Sequence, residues 1–93
     1  MIKSFADKRT AAIFAGFMVK GLPTQIQKRA RIKLMSVDAA AVLGDLRVPP
    51  GNHLEALKGD RQGQHSVRIN DQWRICLVWR DENAWNVRIV DYH

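Results

Sequence analysis

The spacing of hydrophobic residues changes at Pro49 and Pro50, and this change constrains the fold more than any other feature of the sequence. Before the two prolines, apolar residues recur every three or four positions, which is typical of amphipathic helices. After them, apolar and polar residues alternate one by one, which is typical of strands with one buried face. Helices followed by adjacent strands predict an α+β fold in which the helices cover one face of an antiparallel sheet.

Two helices are predicted before the prolines. Asp7 is a suitable cap for a helix over residues 8–20, because its carboxylate accepts hydrogen bonds from unpaired backbone N–H groups. Gly21 and Pro23 end this helix, since glycine tolerates a left-handed conformation and proline lacks an N–H group. A second helix is predicted over residues 24–37, with one apolar face made of Ile26, Ala30, Leu34 and Val37.

Strands joined by short turns are predicted after the prolines. Asn70-Asp71-Gln72 and Asp81-Glu82-Asn83 have the composition of tight hairpin turns. In the last strand, Trp85, Val87 and Ile89 alternate with Asn86, Arg88 and Val90. The predicted strands cover residues 2–5, 53–57, 65–70, 73–80 and 85–90.

Length and composition limit the chain to one domain. With 93 residues, of which 46% are hydrophobic, residues 1–93 are expected to form a single folded domain and not a disordered basic tail. A doubly wound nucleotide-binding fold and a barrel of βα units both need more residues. Cys76 is the single cysteine, which excludes a disulfide framework. With no recognisable secretory signal or membrane-spanning stretch, a cytoplasmic location is expected.

The chain is basic, with 15 Lys and Arg against nine Asp and Glu and a net charge of +6. If the apolar residues of the 73–80 strand face the helices, Arg74 and Arg80 lie together on the opposite face. A row of guanidinium groups there predicts a site for the phosphates of RNA or DNA. The alternative is a solvated sheet face with scattered ion pairs. The candidate phosphate-binding arginines are Arg61, Arg68, Arg74, Arg80 and Arg88.

Two shorter segments carry further candidate residues. The loop with Lys58 and Arg61 also has two glycines, and it either approaches a ligand closely or is an ordinary hairpin loop. Asp91, Tyr92 and His93 place a carboxylate, a phenol and an imidazole in succession. His93 is suited to act as an acid or base near neutral pH; the alternative is an exposed tail. The three histidines lack the spacing of common zinc motifs, so no metal or other cofactor is expected.

Several spaced blocks of the chain follow a family pattern. They are Leu57-Lys58-Gly59-Asp60-Arg61, Ser66-Val67-Arg68-Ile69-Asn70, Trp73-Arg74-Ile75 and Val90-Asp91-Tyr92-His93, together with residues 1–5 and 45–50. In these blocks the sequence resembles the HigB toxins of the RelE superfamily, and the resemblance covers essentially the whole chain. It implies a RelE-like α+β fold, with two N-terminal helices packed on a small antiparallel sheet.

The resemblance also implies a function. HigB toxins are ribosome-dependent endoribonucleases that enter the A site and cut messenger RNA during translation. The implied partner is a HigA-like helix-turn-helix antitoxin from the same operon, and operator DNA is reached only through that complex. No metal, cofactor or membrane is implied.

The family pattern assigns roles to residues of this chain. Lys58 and Arg74 match positions that contact or neutralise the scissile phosphate. Asp91, Tyr92 and His93 match the terminal triad of the family. Within that triad, His93 is the implied proton-transfer group and Tyr92 a candidate for stacking on a base.

One position departs from the pattern. Some HigB toxins have a histidine three residues before the lysine, where this chain has Glu55. Other RelE relatives use a glutamate as general base, so Glu55 is a candidate for that role. His53 shares a face with Glu55 by strand parity, and the choice between the two stays open.

Two other functions compete with RNA cleavage. A basic sheet that blocks ribosomes or coats RNA without cutting it would have the same charge. A DNA-binding regulator is disfavoured, because no recognition helix flanked by suitable turn residues is present.

Overall fold

Two helices lie against one face of a four-stranded antiparallel sheet in the computed structural model, which describes residues 1–91. The α+β architecture predicted from the change in periodicity is confirmed. The strands are neighbours in chain order, so the sheet is a simple meander. The elements are α1 (Lys8–Phe14), α2 (Thr24–Ala39), β1 (Glu55–Ala56), β2 (Gln64–Arg68), β3 (Trp73–Arg80) and β4 (Asn83–Asp91).

Helix α1 begins as predicted and ends six residues early. The Asp7 carboxylate accepts a hydrogen bond of 2.7 Å from the Thr10 amide, which is the expected cap. Gly16 has a φ of +97° and its amide donates to Ile13, while the amide of Phe17 donates to Ala12. This pair of bonds is a Schellman motif, and it ends the helix before the residues that were predicted to extend it.

Helix α2 supplies most of the helical part of the core. Ala30, Leu34 and Val37 are fully buried against the sheet, and the helix ends at Ala39, two residues beyond the predicted limit. Lys33 lies beside this apolar face and donates a hydrogen bond to the buried side chain of Asn52. Burial lowers the pKa of Lys33, and the positive charges of neighbouring arginines add to that effect.

The strand predictions hold best in the centre of the sheet. Strand β3 has the predicted bounds, because its alternation is strong and both of its turns form. Asp81 and Glu82 both have positive φ, which is the conformation of a two-residue hairpin loop. At one edge the prediction is too long, since the predicted 53–57 strand is reduced to β1; at the other edge β4 is longer than the predicted 85–90. Residues 2–5 make two isolated bridges to β4 and no strand.

A bulge in β4 changes which residues face the helices. Asn86 has a φ of +53°, and the pairing of β3 with β4 shifts by one residue between Cys76 and Val78. As a result Ala84 and Val87, three positions apart, are both fully buried in the core. Simple alternation put Trp85 with Val87 and Ile89. That grouping is wrong, because the bulge turns Trp85 to the opposite face.

Candidate active site

The face of the sheet opposite the helices brings together most of the predicted site residues. Pairing of the strands places Glu55, Ser66, Cys76 and Arg88 in one row across the four strands. A second row contains Arg68, Arg74 and Val90, and a third contains Gln64, Val78 and Trp85. We call the surface formed by these three rows the arginine face.

Arg74 is held within the arginine face and does not project into solvent. Only 8% of the residue is exposed. Its Nε donates to Ser66 Oγ at 2.9 Å and its Nη2 donates to the backbone carbonyl of His53 at 2.6 Å. Its Nη1 lies 3.4 Å from a carboxylate oxygen of Glu55. The guanidinium therefore has one orientation, fixed by a strand, a loop and an edge residue.

Glu55 combines contact with Arg74 and access to solvent. Its side chain is 51% exposed, so the carboxylate is reachable by a bound molecule. His53 was placed beside it by strand parity, and that argument is wrong: β1 begins at Glu55, and His53 has a left-handed backbone with φ of +44°. The contact that joins His53 to Arg74 is made by its backbone carbonyl.

Two more arginines, Arg61 and Arg88, act electrostatically on the buried thiol of Cys76. Burial raises the pKa of Cys76, while Arg61, Arg88 and Arg74 each act in the opposite direction and are outweighed. Cys76 is therefore a neutral, fully buried thiol, as its mid-strand position predicted, and it lies within electrostatic reach of three arginines.

The loop between β1 and β2 carries Lys58 and Arg61, and the charge of Arg61 acts on Cys76 of this face. The amide of Leu57 donates to Gln64 at 2.8 Å and closes the loop. Gly59 and Gly63 have φ of +66° and +93°, a conformation that L side chains rarely adopt. The two glycines noted in the sequence thus shape the turn. Lys58 is exposed at its start.

The outer arginines differ in their surroundings. Arg68 forms an ion pair with Asp71 of the adjoining turn. This is the kind of contact expected if the face were merely solvated, with scattered ion pairs. Arg80 is exposed, and its Cζ lies 4.7 Å from the centroid of the Trp85 ring. The indole Nε1 of Trp85 donates to the backbone carbonyl of Arg80 at 3.1 Å.

The terminal candidates are only partly described. Asp91 pairs with Trp73 and has the strand parity of buried Ile89, so alternation places it on the helix side of the sheet. Its Oδ2 accepts a hydrogen bond of 3.3 Å from Gln72. Tyr92 and His93 lie outside the described residues.

Sequence reasoning missed two contributors to the site. Ser66 is fully buried beneath Arg74, and its parity with Arg68 was the available signal. Trp85 was assigned to the core, and nothing in the alternation signalled the bulge. Among residues 1–91, no group of three or more His, Cys, Asp or Glu side chains is arranged to hold a metal ion. In the same range, no helix is long and apolar enough to cross a membrane.

Comparison with known sequences gives a consistent family. The HigB-like toxins, described as the RelE-like toxin of type II toxin–antitoxin system HigB, match residues 3–93. The chain is 42% identical over 65 residues to Toxin HigB-1 of Vibrio cholerae, covering 70% of this chain and 68% of that protein. It is 33% identical over 93 residues to Endoribonuclease HigB of Proteus vulgaris, covering 100% of both.

Solved structures share the fold at low identity. The YoeB–YefM complex from Staphylococcus aureus contains a chain that matches with a TM-score of 0.63 and 18% identity, covering 100% of this chain and 98% of that chain. A conserved protein of Helicobacter pylori matches with a TM-score of 0.59 and 15% identity, covering 98% and 94%. At these identities the two likenesses concern the fold alone.

Proposed function

This chain belongs to the HigB-like toxins of type II toxin–antitoxin systems and is an endoribonuclease, and we propose that it cuts messenger RNA in the ribosomal A site without a metal ion. The observation that carries the proposal is the Arg74 guanidinium, which is fixed in place beside the half-exposed carboxylate of Glu55. A fixed cation next to an accessible proton acceptor suits phosphate chemistry.

The proposed reaction is attack of a 2′-hydroxyl oxygen on the adjacent phosphorus. The bond from phosphorus to the 5′-oxygen breaks, which leaves a 2′,3′-cyclic phosphate and a 5′-hydroxyl group. A base takes the proton of the attacking hydroxyl, and an acid gives one to the leaving oxygen. Negative charge develops on the phosphate oxygens in between, and cations held in position stabilise it.

Arg74 and Lys58 are the cations that we assign to the scissile phosphate. Arg74 is ordered before RNA arrives, so its stabilisation of the transition state costs little reorganisation. Lys58 is exposed in the loop between β1 and β2, and its flexible side chain suits a contact made only with substrate.

Glu55 is the residue that we assign as general base. Its exposed carboxylate contacts Arg74, so a proton acceptor and a phosphate-binding cation are adjacent. His53 remains the alternative base. In either case His93 is the proposed acid, Tyr92 is proposed to stack on a base, and Asp91 completes the terminal triad.

Further arginines are proposed to bind the RNA backbone on both sides of the cleaved bond. Arg88 pairs with Cys76 in the row next to Arg74, and the charge of Arg61 also acts on Cys76, which supports a continuous path of positive charge. Arg68 extends this path at one end, and Arg80 is proposed to contact the RNA at the other. A single domain over residues 1–93 would then carry both cleavage and RNA binding on one sheet.

As a member of a toxin–antitoxin system, the chain has an antitoxin partner. We propose that this partner is a HigA-like helix-turn-helix protein from the same operon. Operator DNA would be bound only through the complex with that antitoxin. Action on translating ribosomes would take place in the cytoplasm.

The helix layer offers a surface for the antitoxin: Phe17, Met18, Ile32 and Met35 are exposed around Lys28 and Arg31. Such a surface suits an apolar segment with acidic residues.

Mapping of new 5′ ends by primer extension on translated messages tests the function. Cleavage by the wild-type protein at positions that depend on translation supports it. Stalled translation with intact message would instead favour the non-catalytic RNA- or ribosome-binding module.

A further inference from the structure

The Arg80–Trp85 pair is built into the end of the arginine face that lies farthest from Arg74. The guanidinium of Arg80 lies over the indole ring at 4.7 Å, and the indole N–H bonds the backbone carbonyl of Arg80. A two-residue hairpin loop, Asp81-Glu82, joins the two strands next to the pair. The pair is therefore anchored by a tight turn and by two separate contacts between its members.

The position of Trp85 depends on the bulge at Asn86. Without the extra residue, alternation would put the indole with Val87 in the core, where a large aromatic side chain gains most from burial. The bulge is held from outside the sheet, because the Asn86 amide donates to Ser4 Oγ at 2.8 Å. Bulges often redirect a side chain beside a functional site. Here the redirected side chain is an aromatic ring on an RNA-binding face.

A path of positive charge joins this pair to the cleavage residues. Trp85 pairs with Val78, which lies four residues along β3 from Arg74, or about 13 Å at the usual rise of a strand. Arg88 lies in the row between them, paired with Cys76, and the charge of Arg61 in the adjoining loop also acts on Cys76. If RNA phosphates bind along this path, a nucleotide that is not next to the cleaved bond would lie at Arg80.

We infer that the Arg80–Trp85 pair binds one unpaired base of the RNA by stacking, at a subsite separate from the cleaved bond. The base stacks on the exposed Arg80 guanidinium, whose Cζ lies over the indole ring. Arginine planes and aromatic rings are the groups on which proteins stack unpaired bases, and such stacking tolerates any base identity. This inference rests on the proposed cleavage of RNA and adds a contact that positions the substrate.

The test measures binding base by base. A reference message carries a 2′-O-methyl group at the attacked position, so it is bound and not cut, and a series of copies each lacks one base. Affinity is measured for programmed ribosomes and for the RNA alone. For the wild-type protein, we expect one position away from the cleaved bond at which removal of the base weakens binding by about 5- to 100-fold, the usual range for stacking.

Variants of the pair then assign that position. Arg80→Lys keeps the charge and loses the planar group, and Trp85→Leu removes the support beneath it, so in both the effect of the missing base should disappear. Trp85→Phe should retain it. Arg47→Lys, an exposed arginine away from the sheet, is the matched control.

Two results would overturn the inference. In the first, the Arg80→Lys protein depends on each base in the same way as the wild type. In the second, Arg80→Lys weakens binding of every RNA by the same factor, which is how a phosphate contact behaves. Failure of the proposed function is recognised separately: the wild-type protein would then leave the unmethylated reference message intact on translating ribosomes.

Discussion

The Nε of Arg74 donates a 2.9 Å hydrogen bond to the hydroxyl of Ser66, a residue with no solvent exposure on the neighbouring strand. The bond fixes the guanidinium from below, while the carbonyl of His53 fixes it from the side. A cation fixed in this way meets the developing charge of the reaction without having to be ordered first. Ser66 therefore acts through Arg74, as a positioning residue.

Replacement of Ser66 by alanine should lower kcat with little change in KM. The lost hydrogen bond to a charged group corresponds to about a 10- to 100-fold slower reaction, because Arg74 then samples other orientations. Single-turnover cleavage on translating ribosomes measures the effect. Ser36→Ala, which removes an exposed hydroxyl on α2, is the control, and Ser66→Thr should restore most of the rate. Equal rates for Ser66→Ala and the wild type would contradict the positioning role.

Glu55→Gln tests the assignment of the general base. We expect cleavage to slow by about 10²- to 10⁴-fold, the usual contribution of an acid–base group, while RNA binding is kept. Asp60→Asn removes an exposed carboxylate from the adjoining loop and is the matched control. If His53→Ala shows the large loss and Glu55→Gln does not, the base is the histidine.

Strong local patterns were read correctly from the sequence. The bounds of β3 were predicted because eight residues alternate without interruption between two turns. The Asp7 cap was predicted because it depends on a contact three residues away. The early end of α1 was missed, since a stop at Gly16 competes with Gly21 as a helix terminator and the sequence does not rank the two.

The parts of the site that escaped prediction depend on contacts between distant residues. The bulge that turns Trp85 outward is held by Ser4, 82 positions from Asn86. The burial of Arg74 depends on a backbone carbonyl 21 positions away. The arginine set itself was visible from parity. Only the structure showed that Arg74 is held in one orientation and that Arg68 forms an ordinary ion pair.

The buried thiol of Cys76 predicts a loss of stability at alkaline pH. Its pKa is raised by burial, so above about pH 8.5 the unfolded chain loses this proton before the folded one does. The unfolded state then binds fewer protons, and the free energy of unfolding falls as the pH rises. The lowered pKa of Lys33 makes the free energy of unfolding rise with pH instead. This contribution is the same in the wild-type protein and in a Cys76→Ala variant.

Urea unfolding at about pH 7.5 and about pH 10 measures this difference. The free energy of unfolding should fall more between the two pH values for the wild-type protein than for Cys76→Ala. An identical pH dependence in both proteins would show that the thiol titrates normally in the folded state.

Met35→Asp tests the proposed antitoxin surface. Met35 is 50% exposed on the outer side of α2, so a charge there should not unfold the chain but should weaken antitoxin binding by about 10-fold or more. RNA cleavage by the free toxin should be unchanged. Arg80→Ala, on the opposite layer, should show the reverse pattern. Undiminished antitoxin binding by Met35→Asp would place the antitoxin elsewhere.

The most direct test of the central claim is primer extension on translated messages with Arg74→Ala. Binding of the antitoxin verifies that the variant is folded, and Arg47→Ala is the matched control. The proposed mechanism predicts that the new 5′ ends made by the wild-type protein fall by at least about 10²-fold with Arg74→Ala and persist with Arg47→Ala. Undiminished cleavage by a folded Arg74→Ala protein would contradict the mechanism.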